Sequence, residues 1–344
     1  MDKIGWIIII IAAVLITVPI IISYILMKSF IRRYDMDKYS FSLRISDICD
    51  RYNIREVSFK SCGEILHGYI FNENSEGKLV VMCHGLFGGA EEYLQFAMHF
   101  ADKGFCVFMF DNTGCNKSGG SSIKGSLQGL FDLNSAMKYI MTQPELAQKK
   151  KVLVGHSWGG FTVAAFRPKD YGVEKVVSLA GFDRPAPAVT DCLTGLYGDS
   201  MKALNLYSYI TLFLMYGYRF NTSSVKNINK TNLPYLIIQG NNDKIIHHNG
   251  SSIYNNSKKI TNKNVSLILI EDENHNKHNT IFRDADATEY MKSRYAEFKK
   301  AKEKYSGKEL EEVQDRLWAE TDRFRINTLD KHFTELIDEF ILSE

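Results

Sequence analysis

The sequence lacks the features of several protein classes. Its 344 residues include 42 Lys and Arg against 40 Asp and Glu, so the net charge is only +2. The basic residues form no stripe, which argues against a nucleic-acid partner because such partners require concentrated positive charge. The six cysteines show no C-x-x-C spacing, so no disulfide framework is indicated.

The histidines give no convincing metal site. The pair His247-His248 has no third ligand at a suitable spacing, and the segment from His275 to His278 lacks the glutamate of H-E-x-x-H. We therefore expect neither a metal nor any other cofactor.

Charge is also missing from a long N-terminal segment. The 24 residues between Lys3 and Lys28 carry no charged side chain and are mostly Ile, Val and Leu. As a helix they would span roughly 36 Å, more than the bilayer core of about 30 Å. Trp6 and Tyr24 fall near the two ends, where aromatic residues contact the membrane interface. We predict a single-pass anchor over residues 1–29 that lies outside the folded core.

A cleaved signal peptide is the alternative for this segment. The apolar part of a signal is usually shorter, and no A-x-A-like cleavage site follows Leu26. Lys28, Arg32 and Arg33 follow the apolar run and favour a cytoplasmic catalytic domain, but Lys3 and the terminal amine precede it. The side of the membrane stays open.

Against these absences stands one local motif, G-x-S-x-G. Gly155 and Gly159 flank Ser157, an apolar run at 151–154 precedes them, and a helical pattern at 161–166 follows. This strand, sharp turn and helix are typical of a nucleophile elbow, in which the glycines leave room for a strained serine. A serine that only capped the helix would not need both glycines. We predict that Ser157 is a nucleophile.

An acid follows at the end of a later strand. The run Leu233 to Gly240 predicts a buried strand, and Asp243 follows it after Asn241 and Asn242. The carboxyl ends of parallel strands meet at one edge, so Asp243 should lie near Ser157. Asp183 is the rival acid; we favour Asp243.

A histidine completes the order Ser, acid, His. The run 265–270 predicts the next strand, and the loop spacing behind it favours His275 over the rival His278. We expect His275 to exchange the proton of Ser157 while Asp243 fixes the imidazole tautomer.

An oxyanion hole needs donors beside the nucleophile. The strand 79–83 runs into the glycine-rich segment 84–89, and we assign the hole to the backbone N–H groups of Leu86 and Trp158. His84 is interpreted as support for this loop and His156 as packing in the elbow.

These segments together resemble the α/β-hydrolase family from about Val57 to the C-terminus. Two further stretches add to the likeness, 108–120 and 132–136, although Asn112 departs from the residues that many relatives carry. The resemblance implies an α/β fold with a mostly parallel sheet, flanking helices and a helical cap. Among branches, the chain looks like membrane-anchored bacterial serine hydrolases that are lysophospholipase-like or serine-aminopeptidase-like, which are often thought to face outward.

The predicted organisation has three parts. The anchor, 1–29, is followed by a helical linker, 30–55, and a hydrolase domain, 56–344. Within that domain, an apolar cap is expected at about 183–232 and a helical hairpin at about 288–322, either structural or a second lid.

The predicted function is hydrolysis of an ester or thioester, with lipid-like acyl substrates favoured because the cap is rich in Leu, Met and Tyr. The alternatives are a peptidase of the serine-aminopeptidase type and a non-catalytic binding protein. Partners are expected to be a small or lipid-like acyl substrate and the membrane.

Overall fold

The computed structural model describes residues 2–168 and 170–343. Strands and helices alternate along most of this length, as the sequence predicts for an α/β fold. The strands are β1 (Ile54–Ser61), β2 (Glu64–Phe71), β3 (Leu79–Cys83), β4 (Cys106–Phe110), β5 (Lys151–His156), β6 (Val173–Leu179), β7 (Tyr235–Gly240) and β8 (Val265–Ile270). The helices are α1 (Lys3–Phe30), α2 (Leu94–Asp102), α3 (Gln128–Met141), α4 (Pro144–Ala147), α5 (Trp158–Ala165), α6 (Pro185–Tyr197), α7 (Asn205–Tyr216), α8 (Ser224–Ile228), α9 (Ala285–Lys304), α10 (Gly307–Ala319), α11 (Arg323–Ile326) and α12 (Lys331–Leu342).

Within the described residues, the eight strands form one sheet in the order β1-β2-β4-β3-β5-β6-β7-β8. The strands from β4 to β8 in this order run parallel, whereas β2 is antiparallel to both β1 and β4. This is the mostly parallel sheet predicted from the sequence. Ser157, Asp243 and the loop after β8 therefore all lie at the carboxyl edge of parallel strands.

Helices cover both faces of the sheet, which explains why the central strands are apolar without alternation. Along β3, Val80 and Met82 belong to the core on one face, with α2 and α12, while Val81 belongs to the core on the other, with α3 and α5. Both cores are fully buried at these positions. The residues at the carboxyl edge of the sheet are thus supported by packed cores on both of its faces.

The segment after the first helix differs from the predicted helical linker. After α1 ends at Phe30, the only helical turn in the described part of 31–53 is a short 3-10 turn, Ile45–Asp47. Tyr34 forms a parallel bridge with Cys115, and Phe41 is buried against α9. The apolar side chains of this segment lack a helical period because they fill gaps in the domain surface. The segment is therefore part of the domain.

The first helix is exposed along most of its length, but its C-terminal end contacts the domain. By length and composition α1 could cross a membrane, a property that a signal sequence would share. Yet its C-terminal part packs on α7 of the segment between β6 and β7, and Met27 is only 3% exposed among Ala186 and Leu212. The segment predicted as the hairpin contains α9 and α10, which pack on each other.

Candidate active site

Ser157 sits at a strained turn between β5 and α5. Its backbone has φ 58° and ψ −114°, a left-handed conformation that costs a residue with a side chain on the order of 1–3 kcal/mol. The flanking glycines make this turn possible. A Cβ on Gly159 would lie 2.0 Å from the Cys83 carbonyl oxygen, and one on Gly155 would lie 2.2 Å from the Gly159 oxygen. The close packing of β3, β5 and α5 therefore holds the serine outward.

A continuous hydrogen-bonded chain joins Ser157, His278 and Asp243. The His278 Nε2 atom lies 2.9 Å from Ser157 Oγ, and His278 Nδ1 lies 2.7 Å from Asp243 Oδ2. All three side chains are buried at the carboxyl edge of the sheet. A base within hydrogen-bond reach of a hydroxyl, itself oriented by a carboxylate, is the arrangement that activates a serine nucleophile.

The structure contradicts the choice of His275 and puts the rival His278 in this chain. His275 lies beside Asp330, with its Nε2 3.8 Å from the carboxylate. The reason is a tight turn after β8, in which the His275 N–H donates to the Asp272 carbonyl and the Asn274 N–H to the Asp272 side chain. Because the chain turns back at Asp272, the loop is still too short at His275 to reach Ser157. The Asp-x-Asn sequence was the signal that could have indicated it.

The acid predicted from the sequence, Asp243, occupies the expected place. Its Oδ1 accepts the N–H groups of Ile245 and Ile246 at 2.8 and 2.9 Å, and Gln239 Nε2 donates to Oδ2 at 3.1 Å. The rival Asp183 instead accepts from Ser223 and Val225 at the start of α8. It therefore has a structural role.

The surroundings of Asp243 favour its ionised form. Burial raises the pKa of this carboxyl, but the charge and hydrogen bond of His278 and the two backbone N–H groups outweigh burial, so the net pKa lies below the usual value. An ionised Asp243 can only accept, so His278 Nδ1 carries a proton. His278 Nε2 is then free to accept the Ser157 hydroxyl.

His156 and Tyr93 form hydrogen bonds that connect the two loops beside Ser157. Tyr93 Oη accepts the Gly85 N–H at 3.0 Å and lies 2.7 Å from His156 Nδ1, while His156 Nε2 lies 3.0 Å from the His278 carbonyl oxygen. Burial, and then the nearby His278, lower the pKa of His156 to about 3, so its ring is neutral at pH 7. This ring therefore connects the loop of Gly85 to the loop of His278. Sequence reasoning did not find Tyr93.

His84 and Asp111 hold the loop after β3. The His84 Nε2 atom accepts the Asn112 N–H at 3.0 Å, and burial lowers the pKa of His84 to about 4. Asp111 Oδ1 accepts the Ala90 N–H at 2.8 Å, and burial raises the pKa of Asp111 to about 7. Neither group touches Ser157. The structural interpretation of His84 therefore agrees with its contacts.

A cavity of about 680 Å³ opens in front of Ser157, with Leu86 and Trp158 in its wall. Most of its lining is apolar and comes from three parts of the chain that are far apart in sequence. These are the end of α1, the helices α6 and α7, and the helix α9: Met27, Phe30, Ile31, Ala188, Val189, Leu212, Met215, Tyr216, Met291 and Tyr295. The contribution of α1 was not foreseen, because an apolar run gives no indication of its packing partner.

Within the described residues, no group of three or more His, Cys, Asp or Glu side chains is placed to hold a metal ion.

Comparison with known proteins agrees with this architecture. The family model described as alpha/beta hydrolase fold matches residues 78–195. An esterase of Pyrococcus furiosus aligns with a TM-score of 0.55 and 19% identity, over 79% of this chain and 97% of its own. An acylaminoacyl peptidase of Pyrococcus horikoshii gives 0.51 and 17%, over 78% and 45% of the two chains. An alpha-beta hydrolase of Vibrio vulnificus gives 0.51 and 18%, over 77% and 86%.

No curated protein matches the sequence. At identities below 20% these likenesses show the fold and not the chemistry of the site.

Proposed function

We propose that this chain, which has the alpha/beta hydrolase fold, is a serine hydrolase that cleaves a carboxylic ester or thioester. The observation that carries the proposal is the hydrogen-bonded chain from Ser157 through His278 to Asp243, which opens into the apolar cavity. A binding protein of this fold would not need a strained serine held against a base. Fold alone supplies no such argument, since one fold hosts many functions.

The proposed reaction has two halves. Ser157 Oγ attacks the acyl carbon while its proton passes to His278 Nε2, and the tetrahedral intermediate then expels the alcohol or thiol, which takes that proton. Water next gives a proton to His278 and attacks the acyl-enzyme. The proton returns to Ser157 Oγ as the carboxylic acid leaves. Asp243 stabilises the imidazolium that forms twice in this cycle.

The negative oxygen of each intermediate needs donors. We assign this role to the backbone N–H groups of Leu86 and Trp158, two residues that line the cavity together with Ser157. Trp158 is the first residue of α5, where the free N–H groups and the helix dipole favour a negative charge. The bracing of Gly85 by Tyr93 fixes the loop that carries Leu86.

The cavity supports an acyl chain as the preferred group. Its lining offers mostly methyl, thioether and aromatic surface from the cap and the end of α1. Each buried methylene is worth up to about 0.8 kcal/mol, or about fourfold in kcat/KM. Rates should therefore rise with acyl length until the cavity is full.

We further propose that α1 is a retained membrane anchor. Met27 and Ser23 of α1 are buried against the rest of the fold. A cleaved signal peptide would have no reason to pack in this way. The protein should stay with membranes after carbonate extraction, and recovery of a mature chain that begins after Met27 would contradict the anchor.

The function is tested with a fluorophosphonate probe and a series of p-nitrophenyl esters. The full-length protein should be labelled, Ser157→Ala should not, and kcat/KM should rise from short to medium chains. Labelling of both forms would exclude Ser157, and absence of labelling in both would favour a binding protein. Flat rates along the series with rapid cleavage of aminoacyl anilides would favour the peptidase alternative.

A further inference from the structure

The helix α1 runs along the cap for much of its length. Met27 is buried near its C-terminal end beside Leu212 of α7. Twelve residues earlier in α1, the Leu15 carbonyl oxygen accepts a hydrogen bond from Tyr207 Oη of α7 at 3.4 Å. The two helices are therefore neighbours from Met27 back to Leu15.

This contact limits where the cap can lie relative to a bilayer. At about 1.5 Å per residue, the part of α1 from Lys3 to Leu15 measures only about 18 Å, whereas the hydrocarbon core is about 30 Å thick. With α7 in water, too little of α1 would remain to cross. A spanning α1 thus requires the first half of α7 to be inside the membrane.

The surface of the cap fits such a location. None of the twelve residues of α7, Asn205–Tyr216, is charged. Phe213 is 53% exposed and Leu214 68%, and Leu206, Leu196 and Tyr218 are exposed as well. Large apolar side chains grouped on a surface mark a site that contacts another molecule or a membrane. Its continuity with α1 identifies the bilayer as the occupant.

The fully buried residues of the helix pair are also typical of a membrane. Ser23 is buried on α1, and Ser208 and Thr211 are buried on α7. Small hydroxylated residues are enriched where membrane helices pack, since they allow close approach of the two backbones.

The same two helices form a wall of the catalytic cavity. Met27 and Phe30 of α1 and Leu212, Met215 and Tyr216 of α7 line it, while Phe213 and Leu214 point away. One pair of helices thus separates the membrane side from Ser157.

We propose that the cap is embedded in the bilayer leaflet beside α1, and that the substrate is an acyl lipid of that leaflet, which reaches Ser157 between α1 and α7. The inference rests on the proposed function and names where its substrate comes from. A lipid entering here keeps its chain in an apolar environment throughout, so no step exposes the chain to water.

The position of the cap is tested first, in the full-length protein reconstituted in phosphatidylcholine vesicles with brominated acyl chains. Phe213→Trp is introduced in a Trp6→Phe background, and Leu342→Trp, at the end of α12 next to the start of β6, serves as the control. Leu342 is 63% exposed and lies at the opposite edge of the sheet from Ser157. Bromine quenches tryptophan only on contact. Trp158 and Trp318 remain in both variants, so the quenching of each variant is compared with that of the Trp6→Phe parent. We expect strong additional quenching for Phe213→Trp and none for Leu342→Trp; absence of additional quenching at both would overturn the proposal.

The route is tested with activity. Leu214→Glu puts a carboxylate on the cap surface, and turnover of a fluorogenic acyl lipid within the vesicles should fall on the order of 10- to 100-fold. Hydrolysis of a water-soluble butyrate ester should stay unchanged, and Leu342→Glu should alter neither rate. An equal fall of both rates, or a concentration-dependent dimer in which the patch is covered by a second copy, would reject the route.

These measurements separate the two proposals. If the parent protein cleaves neither substrate and is not labelled by a fluorophosphonate, the proposed function fails, while the quenching still decides whether the cap lies in the bilayer. If both esters are cleaved but the cap is not quenched, only the present inference fails.

Discussion

The two histidines of the loop after β8 offer the sharpest test of the site. His278→Ala should lower kcat on the order of 10⁶-fold, as expected when the base of such a triad is removed, because Ser157 then has no group within reach to take its proton. His275→Ala should leave kcat within about twofold of the parent, since this side chain has no contact with Ser157 and lies beside Asp330, with its Nε2 3.8 Å from the carboxylate.

The structure also bounds the effect on stability. Removing His278 leaves Asp243 buried without its partner, and breaking a buried pair can cost about 3–5 kcal/mol. Here the carboxylate keeps the N–H groups of Ile245 and Ile246 and the amide of Gln239, so we expect about 1–3 kcal/mol.

The assay combines the rate of fluorophosphonate labelling, butyrate hydrolysis and the urea midpoint of each variant. His278→Gln is the matched control for folding, because its amide can still donate to Asp243 but cannot accept the serine proton at neutral pH. Both His278 variants should be inactive and folded. A folded His275→Ala variant that is as inactive as His278→Ala would refute the assignment.

Three further predictions concern neighbouring groups. Asp243→Asn should lower kcat about 10⁴-fold through the wrong tautomer of the base, measured with the same ester. Gly159→Ala should lower the free energy of unfolding by about 3 kcal/mol or more, because its Cβ would lie 2.0 Å from a carbonyl oxygen, while Gly88→Ala, whose nearest neighbour is at 3.4 Å, should be tolerated in urea unfolding. Asp111, with its pKa raised to about 7 by burial, binds a proton in the folded state that the unfolded chain has lost. The free energy of unfolding should therefore fall as the pH rises from about 4 to about 7. Urea midpoints measured across this range should depend less on pH in Asp111→Asn than in the parent.

The parts of the structure that the sequence predicts well are those with local signals. The elbow around Ser157 requires glycines at fixed positions, and the central strands are short apolar runs that end in turn residues. Each of these features depends on neighbours in the chain, so the sheet and its carboxyl edge could be derived. Asp243 followed from the same reasoning, because it lies in the short turn after a strand.

The errors concern residues whose position depends on distant contacts. The choice between His275 and His278 depends on how many residues the turn at Asp272 uses, which loop length alone does not show. The packing of Met27 and the course of 31–53 depend on surfaces elsewhere in the fold. Apolar residues without a period gave no indication of which surface would cover them.

The attachment of Arg33 to the carbonyl oxygens of Ser118 and Gly120 has a consequence for how the protein would search for substrate. If residues 31–53 were a flexible linker, its root-mean-square end-to-end distance would be about 26 Å, and the domain could move over that range relative to α1. Here that segment is fixed to the domain. If α1 is held in a membrane, the catalytic centre therefore keeps one distance from the membrane and one orientation relative to it. Encounters would then be two-dimensional: the rate would depend on the surface density of substrate in the enzyme's own membrane, and lipids of a facing vesicle would stay out of reach.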